Sequence, residues 1–218
     1  LIVIFPLILS FDSKLRFINY FKYYLVSIIP VNIFMIGWDI LATYFGHWGF
    51  NESKIIGLHI GNLPIEEILF FFTSSYSVLF IYEVVHHYIQ DKVIKNNYIV
   101  QYLLFLGFTL MLSSFLFIPS YYTFISLFIL SIILIFTTLF FKPIIKSRNF
   151  WITLLIVIIP FIIINTILTS IPVVIYSNTE ILNIRFITIP IEDFIFNTIM
   201  VILYIISYSY FKNRFIKN

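Results

Sequence analysis

Apolar residues run almost unbroken over roughly 1–11, 23–45, 64–86, 98–118, 121–141, 150–170 and 190–211, and polar residues collect in the short breaks between. Six of them have about the 20 residues that a helix needs to cross a bilayer. The first has 11. No basic segment precedes it and no small-residue cleavage site follows, as a signal peptide would require, so it is expected to be a first span lacking its outer half. The pattern predicts an all-α polytopic membrane protein of seven transmembrane helices.

Composition agrees with lipid as the solvent. Hydrophobic residues make up 61% and charged residues 11%, against about 25% charged in a soluble domain, and mean hydropathy is +1.04. The absence of cysteine excludes a disulfide framework and a thiolate metal site. The basic residues alternate by loop: Lys14, Arg16 and Lys22; Lys92 and Lys95; Lys142, Lys146 and Arg148; Lys212, Arg214 and Lys217. Only Lys54 and Arg185 fall on the opposite side. The positive-inside rule then places the C-terminus in the cytoplasm and, over an odd number of spans, the N-terminus outside. A bacterial inner (plasma) membrane is the expected location.

A repeat lies within this pattern. Pro64-Ile65-Glu66-Glu67-Ile68-Leu69-Phe70 recurs 126 residues on as Pro190-Ile191-Glu192-Asp193-Phe194-Ile195-Phe196. The same offset places Asp39 on Asn165, Thr43 on Thr169, Phe50 on Tyr176 and His59 on Arg185. Residues 1–97 are expected to form a first three-helix repeat, 98–118 a linking transmembrane helix, and 119–218 a second repeat. The linking helix restores parity, so the two repeats run parallel about an axis along the membrane normal.

The doubled motif carries the sharpest chemistry. With Leu63 as N-cap and Pro64 as first helical residue, Glu66 and Glu67 occupy the third and fourth positions of a helix, and Glu192 and Asp193 repeat them. Carboxylates in a first turn cap the helix and complement its dipole, which is the plain alternative. Against it, ionisable groups inside a membrane are costly and commonly functional. Like charges crowded together do not all stay ionised, and a neutral carboxylic acid beside a carboxylate is an acid/base pair. Asp39, about two turns inside the second span, adds a third carboxyl to the same zone, or else makes an ordinary polar contact between helices. Trp38, Trp48, Phe70, Phe71 and Phe196 lie near these acids and offer faces to a cation, while interfacial aromatic belts are the bland account of Trp48. Asn62 can orient the carboxyl groups. Glu83, His86 and His87 have the Glu-x-x-His spacing of a metal ligand pair, but their equivalents are Ser209, Lys212 and Asn213, so no metal is expected. No dinucleotide or nucleotide-binding loop is present, and nucleic acid is not an expected partner.

Leu63-Pro-Ile-Glu-Glu-Ile-Leu-Phe-Phe-Phe72, Ile36-Gly-Trp-Asp39, His47-Trp-Gly-Phe-Asn51 and Ile189-Pro-Ile-Glu-Asp-Phe194 resemble the small membrane lycopene β-cyclases, in the form that fuses two short subunits into one chain. The resemblance implies a cofactor-independent isomerase of the intramolecular lyase type. In carotenoid biosynthesis it would convert the ψ-end groups of lycopene to β-rings by general acid–base catalysis. It implies Glu66, Glu67, Glu192, Asp193 and Asp39 as catalytic residues, and Trp38, Trp48, Asn62, Phe70, Phe71 and Phe196 as substrate-binding. The implied partners are lycopene or a related acyclic carotenoid and membrane lipid; other enzymes of the pathway, or a second copy of the chain, are further candidates. One departure stands out: Asn197-Thr198 replaces Phe71-Phe72 in the second copy, so the two copies need not be equivalent. A transporter or binding protein for an isoprenoid or another lipid-soluble molecule is the alternative, and a non-enzymatic assembly partner is a third.

Overall fold

The computed structural model describes residues 3–96 and 98–216. Eight α-helices form among them: α1 (Ile4–Leu9), α2 (Phe21–Tyr44), α3 (Ile65–Tyr88), α4 (Tyr98–Ser114), α5 (Tyr121–Phe140), α6 (Lys142–Ile145), α7 (Arg148–Ser170) and α8 (Ile191–Ile216). Six segments of the described chain, built on α2, α3, α4, α5, α7 and α8, are long and apolar enough to cross a membrane. The expected first span appears as α1, six residues long, well short of the roughly 20 that a crossing needs. The protein is an all-α membrane protein whose six candidate spans match the six long apolar runs.

These helices form because in lipid each backbone N–H and C=O must be satisfied within the segment. Their sorting follows side-chain character. Large apolar residues such as Phe105, Phe108 and Leu112 of α4 point outward and stay exposed, since lipid is as good a solvent for them as a core. Buried positions carry, beside large apolar groups such as Phe71 and Tyr204, small polar ones: Ser74, Ser75, Ser77, Ser126, Ser131 and Thr138, the residue types that let helices approach closely. On α4, a Cβ at Gly107 would stand 2.6 Å from Ile135 Cγ1 of α5, so glycine sets how near that pair lies. At the end of the bundle away from the acidic motifs, buried Glu83 of α3 pairs with Lys212 of α8, the position equivalent to His86.

The other end is closed by short antiparallel ladders. β2 (His59–Ile60) pairs with β3 (Leu63–Pro64), and β5 (Arg185–Phe186) pairs with β6 (Ile189–Pro190). Every partner in the second hairpin lies 126 residues beyond its counterpart in the first. The bond from Ile65 N–H to Leu58 O (2.8 Å) is likewise matched by Ile191 N–H to Ile184 O (3.0 Å). Left-handed backbone recurs too, at Gly57 (φ 84°) and Asn183 (φ 58°), and at Gly61 (φ 66°) and Ile187 (φ 59°). A third ladder joins β1 (Trp48–Phe50) to β4 (Val174–Tyr176), centred on the pair Gly49–Ile175. Those two residues are also 126 apart, and an antiparallel ladder centred on equivalent residues is what a two-fold axis produces.

Candidate active site

The hairpins aim the acidic motifs. Pro64 belongs to β3 and has extended backbone (φ −64°, ψ 147°), so it is the N-cap of α3 and the helix proper starts at Ile65. That is one residue later than the sequence suggests. The cause is the ladder, which holds Pro64 opposite His59.

Successive helix positions point about 100° apart, and the two acids of each motif accordingly do different things. Glu66 Oε1 accepts a hydrogen bond from Ile56 N–H at 2.6 Å. Its equivalent, Glu192, accepts from Leu182 N–H at 2.9 Å and from Thr123 Oγ1 at 2.6 Å. Ile56 and Leu182 are themselves 126 apart, so the first acid of each motif clamps the loop that leads into its hairpin. The second oxygen of both carboxyls is buried without a partner among the described residues.

Glu67 and Asp193 turn inward instead. They line one cavity of about 70 Å³ together with Asp39, and the walls include five pairs of positions at the 126-residue offset: Asp39 and Asn165, Trp48 and Val174, Phe50 and Tyr176, Glu67 and Asp193, Phe70 and Phe196. Tyr122, Phe161, Leu168, Asn197 and Met200 complete the lining. The cavity therefore sits where the two sets of equivalent elements meet.

Its two sides are wired differently. Asp39, 1% exposed, and Glu67 both line this small cavity, and two carboxyl groups crowded into one apolar site do not both stay ionised. Asp193 instead accepts from two phenols, Tyr122 O–H at 3.1 Å and Tyr176 O–H at 2.6 Å. Asn165, in the place equivalent to Asp39, donates to Phe161 O at 3.3 Å. Tyr176 lies in β4, outside the spans; burial, and next the charge of Asp193, push its phenol well above the usual value, which keeps it a donor. The geometry provides two carboxyl groups, Asp39 and Glu67, on one side, an acceptor fixed by two O–H groups on the other, and aromatic walls between them.

Trp48, Phe70 and Phe196 line this cavity. Trp38 and Phe71 stand behind it, packed against Phe196 with ring centroids 5.2 and 6.4 Å away. Asn62 is further off, donating to Ile40 O at the end of α2. Tyr122 and Tyr176 are the polar lining residues that motif reading passes over, although the offset does pair Tyr176 with Phe50. His47, buried next to β1, stacks on Tyr122 and lies 3.9 Å from Glu180. Burial holds its imidazole below the ordinary value, with Glu180 opposing.

The chain matches a family model described as lycopene cyclase over residues 1–85 and 119–211. The two stretches end 126 residues apart, and the segment between them contains α4. No curated protein and no solved structure matches the chain.

Proposed function

Because the chain belongs to the lycopene cyclase family, a family of carotenoid-cyclising enzymes, we propose that it closes the ψ-end groups of lycopene into β-rings by proton-initiated, redox-neutral cyclisation. The observation that carries this reading is the convergence of Asp39, Glu67 and Asp193 on one aromatic-walled cavity buried among apolar helices.

The Asp39–Glu67 pair supplies the proton. It adds to a carbon of the terminal double bond and leaves a tertiary cation at its neighbour. The electrons of the next double bond close the ring by forming a carbon–carbon bond, which moves the cation into the ring. Asp193 then removes a ring proton, and the C–H electrons become the ring double bond. One proton is added and one removed, so the product is an isomer and no electron carrier takes part. Asp193 returns its proton to the pair before the next turnover. The faces of Trp48, Phe70 and Phe196 stabilise the travelling cation, and the apolar surroundings keep away water that would trap it. Tyr122 and Tyr176 orient the base. Glu66 and Glu192 act at one remove, by holding the loops that set the pitch of α3 and α8.

The matched hairpins, the ladder centred on Gly49–Ile175 and the family match in two stretches support an organisation as two parallel three-helix repeats joined by α4. The basic-residue bias supports an outside N-terminus and a cytoplasmic C-terminus, which requires a crossing through the segment that contains α1. The cavity would then open near the outer face of a bacterial plasma membrane.

Expression in cells that accumulate lycopene tests the activity. Pigment analysis is expected to show β-ring carotenoids. Unchanged lycopene in cells whose membranes contain the protein would overturn the reading and favour a binding or transport role.

A further inference from the structure

The acid cavity adjoins two crevices between α3 and α7. One opens beside Leu69 and Thr73 of α3 and Ile167 of α7, with a volume of about 400 Å³. The other runs on along Ser74, Ser77 and Ile81 of α3 and Val157 and Pro160 of α7, with about 40 Å³. Phe70 and Ile164 line both crevices, and Phe70 also lines the cavity. Leu69, Phe72, Ile163 and Ile167 are exposed around them, so this face of the bundle meets lipid.

The positions 126 residues away build a second apolar groove between α2, α5 and α8. Val31, Phe34, Leu203 and Ser207 stand there in the places of Val157, Pro160, Ser77 and Ile81. This groove is larger, about 520 Å³, yet it shares no lining residue with the acid cavity. The difference lies in one pair. Where the first side has Phe70 and Ile164, the second has Phe196 and Trp38, whose rings meet edge to face at 5.2 Å. Trp38 is 6% exposed; its indole fills the gap that the smaller Ile164 leaves.

An acyclic carotenoid is a long apolar chain dissolved in the bilayer, and a cavity of about 70 Å³ has room for a few waters rather than for that chain. Its end group must therefore come in sideways, and the rest of the molecule must lie in a groove continuous with the acids. Resting on the cyclase reading, we propose that the α3–α7 crevice is the lateral access route and chain-binding subsite of the carotenoid. Ile164 opposite Phe70 keeps this side open, and Trp38 against Phe196 seals the other. Phe70 swings aside to admit the end group and closes behind it.

The chain has no cysteine, so Ile81→Cys places a single thiol in the open groove and Ser207→Cys a single thiol at the equivalent point of the sealed one. Each variant is reconstituted in vesicles with and without lycopene and treated with a membrane-permeant maleimide. Lycopene is expected to slow labelling of Ile81→Cys and to leave Ser207→Cys unchanged. Adding Trp38→Ile to Ser207→Cys is expected to make that thiol protectable as well. Ile164→Trp, which copies the sealed side, is expected to raise KM for lycopene roughly tenfold with a smaller change in kcat. Equal labelling of Ile81→Cys with and without lycopene would overturn the proposal, and so would a wild-type KM in Ile164→Trp. If the unsubstituted protein fails to cyclise lycopene, the cyclase reading falls, while the labelling still decides whether a carotenoid occupies the groove.

Discussion

One side of the cavity carries two carboxyl groups, Asp39 and Glu67; on the other, Asn165 takes the place of Asp39, and Asp193 is held by Tyr122 and Tyr176. The backbone frame beneath is the same on both sides, down to the clamps of Glu66 and Glu192 on their loops. The contrast teaches that a shared frame fixes where side chains stand, and that a few exchanges decide what they do. An amide for a carboxyl removes an ionisable proton. A tyrosine for Phe50 adds a donor. Two identical sides would offer two like carboxyl pairs competing for protons; in the proposed reaction the unlike sides serve as a donor pair and a separate acceptor, one for the proton added and one for the proton removed.

The largest effects are expected where this contrast is erased. Asp39→Asn gives the first side the amide that the second has, Glu67→Gln removes the other proton of the pair, and Asp193→Asn removes the acceptor. Each is expected to lower cyclisation by roughly 100-fold or more, measured as β-ring product at equal membrane protein level. Glu66→Gln and Glu192→Gln keep an oxygen for the loop N–H and are expected to leave turnover near the unsubstituted level. Loss in these two as deep as in Glu67→Gln would break the division between cavity acids and clamping acids.

A smaller effect sharpens the role of the phenols. Tyr176→Phe copies Phe50 and takes one hydrogen bond from Asp193. It is expected to lower kcat about tenfold with little change in KM, the size expected for one bond to a charged group. A change confined to KM would show that Tyr176 serves binding and leaves the base alone.

His47 differs from its equivalent, Val173, in being able to titrate. Its folded-state value lies below the ordinary one because burial disfavours the cation, so protonation favours the unfolded chain. The stability tied to the neutral ring is fully present above pH of about 6.5 and is lost as pH falls through the lowered folded value. Thermal unfolding in detergent is expected to show a drop on the order of a few degrees between neutral and mildly acidic pH. His47→Val is expected to flatten that slope; an unchanged slope would assign the loss to other groups.

The smallest effect concerns the hairpin turns. Ile187, a branched side chain at φ 59°, occupies the left-handed position that Gly61 fills in the first hairpin. Ile187→Gly is expected to stabilise the fold by about 0.5–1 kcal/mol, since relief of the Cβ clash outweighs the added freedom of the unfolded chain. A loss of stability would show that contacts of the isoleucine side chain outweigh its strain.

Much of the scaffold was legible beforehand because lipid imposes a simple rule. A helix that must satisfy its own backbone and meet hydrocarbon on most of its faces has to be long and apolar, and the six long runs fall within a few residues of α2, α3, α4, α5, α7 and α8. The 1–11 run was legible as apolar and too short, and α1 is six residues. The 126-residue offset was visible as a repeated Pro-Ile-Glu motif, and it also pointed to Asn165 and Tyr176 through their partners Asp39 and Phe50. The site was only partly legible. Adjacent acids look alike in a motif, and whether Glu66 or Glu67 faces the cavity depends on how the hairpin rotates α3. Tyr122 lies in the first turn of α5 with no motif around it, and its contact with Asp193 spans 71 residues.

By itself, then, the order of residues determined that this chain is a bundle of membrane-crossing helices with acids gathered at one end, because hydrophobic length and local motifs are properties of contiguous sequence. Only the tertiary structure decided which acids share a cavity, which phenols hold Asp193, and which of two equivalent grooves reaches them. Those outcomes turn on helix rotation and on the volumes of side chains that meet across the bundle, such as Trp38 against Phe196 and Ile164 beside Phe70, which are set by packing between segments far apart in the chain.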